Sequence, residues 1–91
     1  MNKTDLEILF EVSYATGRDG LGSLTLSDLY GRILAERRSI GWPEFPAQEF
    51  DHRTTDLWND GYISLNPVRL TPKGEKAVAP SWLERLLERL M

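Results

Sequence analysis

The run Thr55-Asp56-Leu57-Trp58-Asn59-Asp60-Gly61-Tyr62-Ile63-Ser64-Leu65, continued after Asn66-Pro67 by Val68-Arg69-Leu70-Thr71-Pro72-Lys73-Gly74-Glu75-Lys76-Ala77, decides the fold. Asn59-Asp60-Gly61 is a helix stop. A helix that enters a strand with no loop between must turn through a left-handed residue, which glycine does without steric cost, so Gly61 belongs there. Tyr62 to Leu65 and Val68 to Leu70 alternate apolar and polar residues around Asn66-Pro67, the pattern of a tight antiparallel hairpin. Ile63 and Leu65 then face Val68 and Leu70 on one side, and the hairpin becomes a lid on a helical core, since two strands alone are marginal. Thr71 caps a short helix that begins at Pro72 and stops before Pro80.

Working toward the N-terminus, Pro46 suits the first position of a helix that runs through Phe50, Thr54, Leu57 and Trp58. Ahead of it, Ser39 to Phe45 forms a connection carrying Trp42 and Phe45. These two aromatics read either as a plug over a thin core, the reading preferred, or as an exposed anchor for a protein partner. A second helix carries the stripe Leu29, Tyr30, Ile33 and Leu34, starts under Thr25 or Ser27 and ends near Arg38, with Gly41 and Pro43 stopping it. Leu24-Thr25-Leu26 reads as a very short strand, and 17–23, with three glycines, as loop. The first helix is expected from a Thr4 to Glu7 capping box to about Thr16, apolar on two sides: Leu6, Leu9 and Phe10, then Ile8, Val12 and Ala15. Toward the C-terminus, Ser81 to Glu84 opens a last helix by another capping box.

The order of these elements is that of a winged-helix domain, and residues 55–78, about a quarter of the chain, resemble the recognition-helix end, wing and following helix of winged-helix transcriptional regulators. In that family a leucine, a glycine and an aromatic or apolar pair lead into the wing, as Leu57, Gly61, Tyr62 and Ile63 do here. A leucine-threonine-x-lysine-glycine string leads out, here Leu70 to Gly74. The resemblance implies a mainly α protein with a small β hairpin: a winged helix-turn-helix with a three-helix core, a two-stranded wing and a C-terminal helix. It also implies sequence-specific binding of double-stranded DNA and a role in transcription regulation. The whole chain reads as one such domain, 1–80 as core and 81–91 as a docking or dimerisation helix.

Composition bounds the alternatives. Ninety-one residues, 41% hydrophobic and 27% charged, make one ordinary domain with a thin core. Zero cysteines exclude disulfides and thiolate chemistry, and one histidine excludes a multi-histidine metal site. His52 between Asp51 and Asp56 has no nucleophile at a matching spacing, so no enzyme, cofactor or metal is expected. Gly17 to Gly22 lacks a preceding strand and a phosphate-binding lysine. The polar opening, Met1 to Glu7, and the lack of a long apolar run lead to the expectation of a cytoplasmic protein. The net charge of -3 is not that of a dedicated nucleic-acid binder, although only the contacting face enters the phosphate term.

With Phe50, Thr54 and Leu57 inward, Gln48, His52, Thr55 and Asn59 fall on the opposite side of the third helix, at spacings of four, three and four. Gln48, His52 and Thr55 are expected to read base edges in a major groove. Arg37, Arg38, Arg53, Arg69 and Lys73, with Lys76 as a further cation, are expected to position the domain on phosphates. Glu49, Asp51 and Asp56 lie beside this stripe, a departure from the resemblance, and residues 46–60 set one arginine against four carboxylates. A second expectation therefore stands: an interaction module, an adaptor or a small phage or plasmid inhibitor, whose acidic third helix meets a basic protein. Trp82, Leu83, Leu86, Leu87 and Leu90 line one side of the final helix. That side is expected to pack within the chain or across a twofold axis as a homodimer interface, the latter preferred.

Overall fold

The computed structural model describes residues 2–79. Among them the protein is mainly helical, with four helices and a small two-stranded antiparallel sheet, an arrangement compatible with a helix-turn-helix followed by a wing. Helix α1 spans Lys3–Ser13 and runs on into a π-helical turn, Tyr14–Arg18. Its cap is Asn2, whose side chain accepts from the Asp5 amide at 2.9 Å, and not the expected Thr4. Asparagine is as strong a cap as threonine, and starting earlier puts Thr4 inside the first turn. The π-turn also takes in Gly17 and Arg18, so the helical stretch passes the expected end at Thr16 and the loop begins later.

The two apolar groups of α1 separate in an informative way. Ile8, Leu9, Val12 and Ala15 are wholly buried, whereas Leu6 and Phe10 are half-buried on the other side. Leu9 thus joins the core and leaves the group in which sequence spacing had placed it.

Helix α2, Leu26–Ser39, starts under a complete capping box: Thr25 Oγ1 accepts from the Asp28 amide at 3.0 Å, and Asp28 reaches back to the Thr25 amide. Because the helix begins at once, Leu24 to Leu26 makes no strand. What remains is one backbone hydrogen bond, from the Val68 amide to the Leu24 carbonyl at 2.9 Å, which ties this segment to the hairpin. Arg37 and Arg38 sit in the last turn of α2, where cations suit the helix dipole.

Helix α3 is Ala47–Asn59, with Pro46 as its cap and not its first residue. Phe50, Thr54 and Leu57 are buried as expected. The buried Thr54 hydroxyl donates to the Phe50 carbonyl at 2.9 Å, so this hydroxyl is satisfied inside the core. At the other end Gly61, at φ +80°, donates to the Trp58 carbonyl, and Tyr62 to the Leu57 carbonyl at 2.9 Å. This paired closure satisfies two carbonyls that a helix end leaves orphaned and is the reason a glycine stands here.

Strands β1, Ile63–Ser64, and β2, Arg69–Leu70, pair antiparallel with Ile63 opposite Leu70 and Ser64 opposite Arg69. They are two residues each, shorter than the alternation suggests, because 65–68 form the connection. Ile63 and Val68 are buried against the helices, which makes the hairpin the expected lid. A fourth helix, α4, covers 72–79. Thr71 caps it, accepting from the Gly74 amide at 3.2 Å, and donates its own hydroxyl to the Gly61 carbonyl. Gly74 is packed so closely that a β-carbon there would lie 2.1 Å from the Tyr62 carbonyl oxygen. The leucine-threonine-x-lysine-glycine string therefore has a mechanical meaning: α4 lies directly on the backbone that leaves α3. No described helix is long and apolar enough to cross a membrane.

Candidate nucleic-acid interface

The candidate surface is the outward side of α3, and the core sets its direction. With Phe50, Thr54 and Leu57 inward, Gln48, His52, Thr55 and Asn59 share an arc of about 60° on the far side, and all four are exposed. Thr55 turns its hydroxyl hydrogen back to the Asp51 carbonyl at 2.8 Å, leaving its oxygen lone pairs outward. His52 Nε2 lies 3.5 Å from Asp56 Oδ2, an open pair one helical turn apart with the imidazole 74% exposed. Among the described residues no hydrogen bond claims the side chains of Gln48 or Asn59. Among the described residues, packing thus leaves this edge open.

The flanks of the arc are acidic. Glu49 and Asp56 border one side and Asp51 the other, all exposed, with Asp60 beyond the helix end. Arg53 is the only cation on α3; it is half-buried on the Glu49 side, and its Nε is buried without a hydrogen-bond partner. Trp58 is 50% exposed next to the Asp51 flank.

The remaining arginines and lysines expected at the site have different fates. Arg38 is exposed and only loosely paired with Glu44 at 3.5 Å. Arg69 is exposed, reaching the Gly22 carbonyl at 3.4 Å. Lys73 donates to the Asp60 carbonyl at 2.8 Å and lies 4.4 Å from the Tyr62 ring centre, so it closes the C-terminal end of α3. Lys76 is exposed on α4.

Arg37 is held elsewhere. Its guanidinium makes two bonds to Glu7 of α1, at 2.7 and 2.8 Å, and one to the Pro43 carbonyl at 2.9 Å. It also lies 4.7 Å from the Phe45 ring centre and 5.8 Å from that of Trp42. The bond to Glu7 raises its pKa above the ordinary arginine value against the opposing effect of burial. A planar fork satisfied on two edges and covered on a face is a structural clamp. It fastens α1 to the α2–α3 connection and so fixes where α3 starts.

Sequence reasoning missed both this clamp and its neighbour, Arg32, which pairs with Glu11 at 2.9 Å and with Asp19. The partners lie 30, 21 and 13 residues away, and no helical spacing signals them.

Trp42 and Phe45 divide the two readings between them. Phe45 is 1% exposed, edge-on to Phe50 at 6.0 Å, and its carbonyl accepts from the Tyr30 hydroxyl. Trp42 is 55% exposed. The plug is Phe45, while Trp42 lies on the surface beside Arg37. The expected dimer-interface residues, Trp82, Leu83, Leu86, Leu87 and Leu90, lie outside the described residues. Among the described residues no group of three or more histidine and carboxylate side chains is placed to hold a metal ion. No family model, no curated protein and no solved structure matches the chain, and the meaning of the α3 edge rests on its own residues.

Proposed function

We propose that the protein is a winged-helix DNA-binding module, a transcription regulator that lays the Gln48, His52 and Thr55 edge of α3 in a major groove. The observation that carries this reading is the open, hydrogen-bonding edge itself, set on a helix whose two ends are both fastened. Glutamine, histidine and threonine match donor and acceptor patterns on base edges. Of the expected arginines, Arg53, Arg38 and Arg69 are left for phosphates once Arg37 is engaged within the fold. The hairpin connection 65–68 carries no cation, so the wing adds little in a minor groove.

The acidic flanks have a direct consequence. They repel backbone phosphate, which suppresses non-specific binding and leaves discrimination to base contacts. With about three phosphates neutralised, the log–log salt slope should be close to -3. The test is selection of duplexes from a random library at about 50 mM salt, followed by a salt titration of the winners. Enrichment of a common sequence with a shallow slope supports the reading; no enrichment at low salt removes it.

A second reading is favoured by one observation, the carboxylates on both sides of the arc with exposed Trp58 beside them. An acidic rim around hydrogen-bonding groups and an aromatic suits a basic protein surface. The double substitution E49Q/D56N separates the two. It should tighten duplex binding several-fold if α3 meets DNA and leave duplex binding absent if its partner is a protein.

A further inference from the structure

Among the described residues one buried side-chain nitrogen is unmet, Nε of Arg53. An N–H taken out of water with no acceptor forfeits its hydration and gains nothing in return, and native folds keep few such atoms. Partners are at hand and are not taken. Glu49 precedes Arg53 by four residues and Asp56 follows it by three, the spacings at which neighbours on a helix pair. Asp56 stands 3.5 Å from His52 instead, and the charge of Glu49 is one cause of the raised pKa of Arg37.

The other described arginines are provided for. Arg32 and Arg37 are half-buried like Arg53, and each is matched by carboxylates, Arg32 by Glu11 and Asp19 and Arg37 by Glu7. Arg18, Arg38 and Arg69 are exposed, so water serves whatever the fold leaves over. Among the described residues Arg53 alone combines partial burial with no anionic partner. It lies about 100° round α3 from His52, on a flank of the open edge. A helix laid in a groove turns such a flank toward the sugar–phosphate strand.

We propose that Arg53 is the fixed phosphate anchor of the α3 edge: a guanidinium kept unpaired in the free domain at a loss of stability, and satisfied when a backbone phosphate of the duplex accepts from it. This rests on the reading of α3 as a groove-binding helix and goes further, in giving one cation a different standing from the rest. An internal carboxylate would have stabilised the fold and competed with phosphate for the same fork. A side chain already half-packed loses less rotamer freedom on binding than the exposed chains of Arg38 and Arg69. A contact held in this way sets the register in which Gln48, His52 and Thr55 meet the bases.

Arg53→Met keeps an apolar stem and removes the unmet N–H. In urea unfolding of the full chain its folding equilibrium constant should rise about tenfold. Arg53→Lys, which puts a methylene where Nε lies, should move the midpoint in the same direction. With a selected duplex, Arg53→Met should weaken binding about equally across sequences and make the log–log salt slope shallower by about 1. A fall in stability with either substitution would overturn the proposal by showing that Arg53 helps to hold the fold. An unchanged salt slope for Arg53→Met would overturn it by leaving the phosphates to other cations. Both of those results leave the α3 reading standing, whereas failure of the unsubstituted chain to bind any duplex removes that reading and the anchor together.

Discussion

The two ends of α3 are fastened in different ways. At its start the connection from α2 is held by side chains from distant parts of the chain: Arg37 between Glu7 and Pro43, Phe45 edge-on to Phe50, and the Tyr30 hydroxyl on the Phe45 carbonyl. At its end the chain is held mainly by backbone. Gly61 turns it, Thr71 bridges to the Gly61 carbonyl, and Gly74 allows α4 to lie on Tyr62. A junction built from side chains tolerates gradual loss, because each contact contributes separately. A junction built from backbone contact is sterically sharp, because one added carbon has nowhere to go.

The largest expected loss of stability belongs to the Phe45 ring. Phe45→Ala removes a wholly buried ring at the side-chain end and should cost about 4 kcal/mol in urea unfolding. Retention of near-normal stability would mean that Phe45 does not seal the core. At the backbone end, Gly74→Ala forces an overlap with the Tyr62 carbonyl and should cost about 3 kcal/mol. Gly61→Ala, with open space around the position but a φ of +80°, should cost only about 1 kcal/mol. Equal costs for the two alanines would show that close approach is not what distinguishes Gly74.

The clamp falls between the two glycine positions in size. Arg37→Met should cost about 1.5 kcal/mol, between the values for exposed and buried pairs, since the Arg37 and Glu7 side chains are 16% and 19% exposed. A double-mutant cycle with Glu7→Gln measures the coupling, and a coupling near zero would leave Arg37 free for a ligand. The sign of the pH effect follows from its raised pKa. Arg37 contributes below the ordinary arginine range and is lost only above it, so this side of the pair should be insensitive to pH between about 6 and 10. The smallest expected change in stability belongs to His52→Ala, on the open edge, at under about 0.5 kcal/mol. The same substitution should weaken binding to a selected duplex about tenfold, which separates a contact residue from a structural one.

Local chemistry was readable wherever partners are near in sequence. Thr25, one of two candidate caps with Ser27, is where α2 starts, and there it and Asp28 satisfy each other's amide three residues apart. Gly61 announces a helix end, and Phe50, Thr54 and Leu57 announce the inward side of α3, since periodicity alone orients a helix against a core. Where reading by period failed, several local solutions competed. Asn2 displaced Thr4 as a cap, and the early start of α2 left Leu24 to Leu26 with one hydrogen bond in place of a strand. The candidate edge followed from the same periodicity; which cations accompany it did not, because Arg37 and Arg53 look alike in sequence.

The amino-acid order by itself determined where α3 stops, which of its sides is polar, and that a short hairpin follows it, because hydrogen-bond satisfaction and side-chain period act over a few residues. Tertiary structure alone decided that Leu9 points into the core, that Arg37 clamps Glu7 while Arg53 stays unpaired at Nε, and why residue 74 is glycine. Each of those depends on how close two remote stretches of backbone come, and that distance is a property of the packed whole.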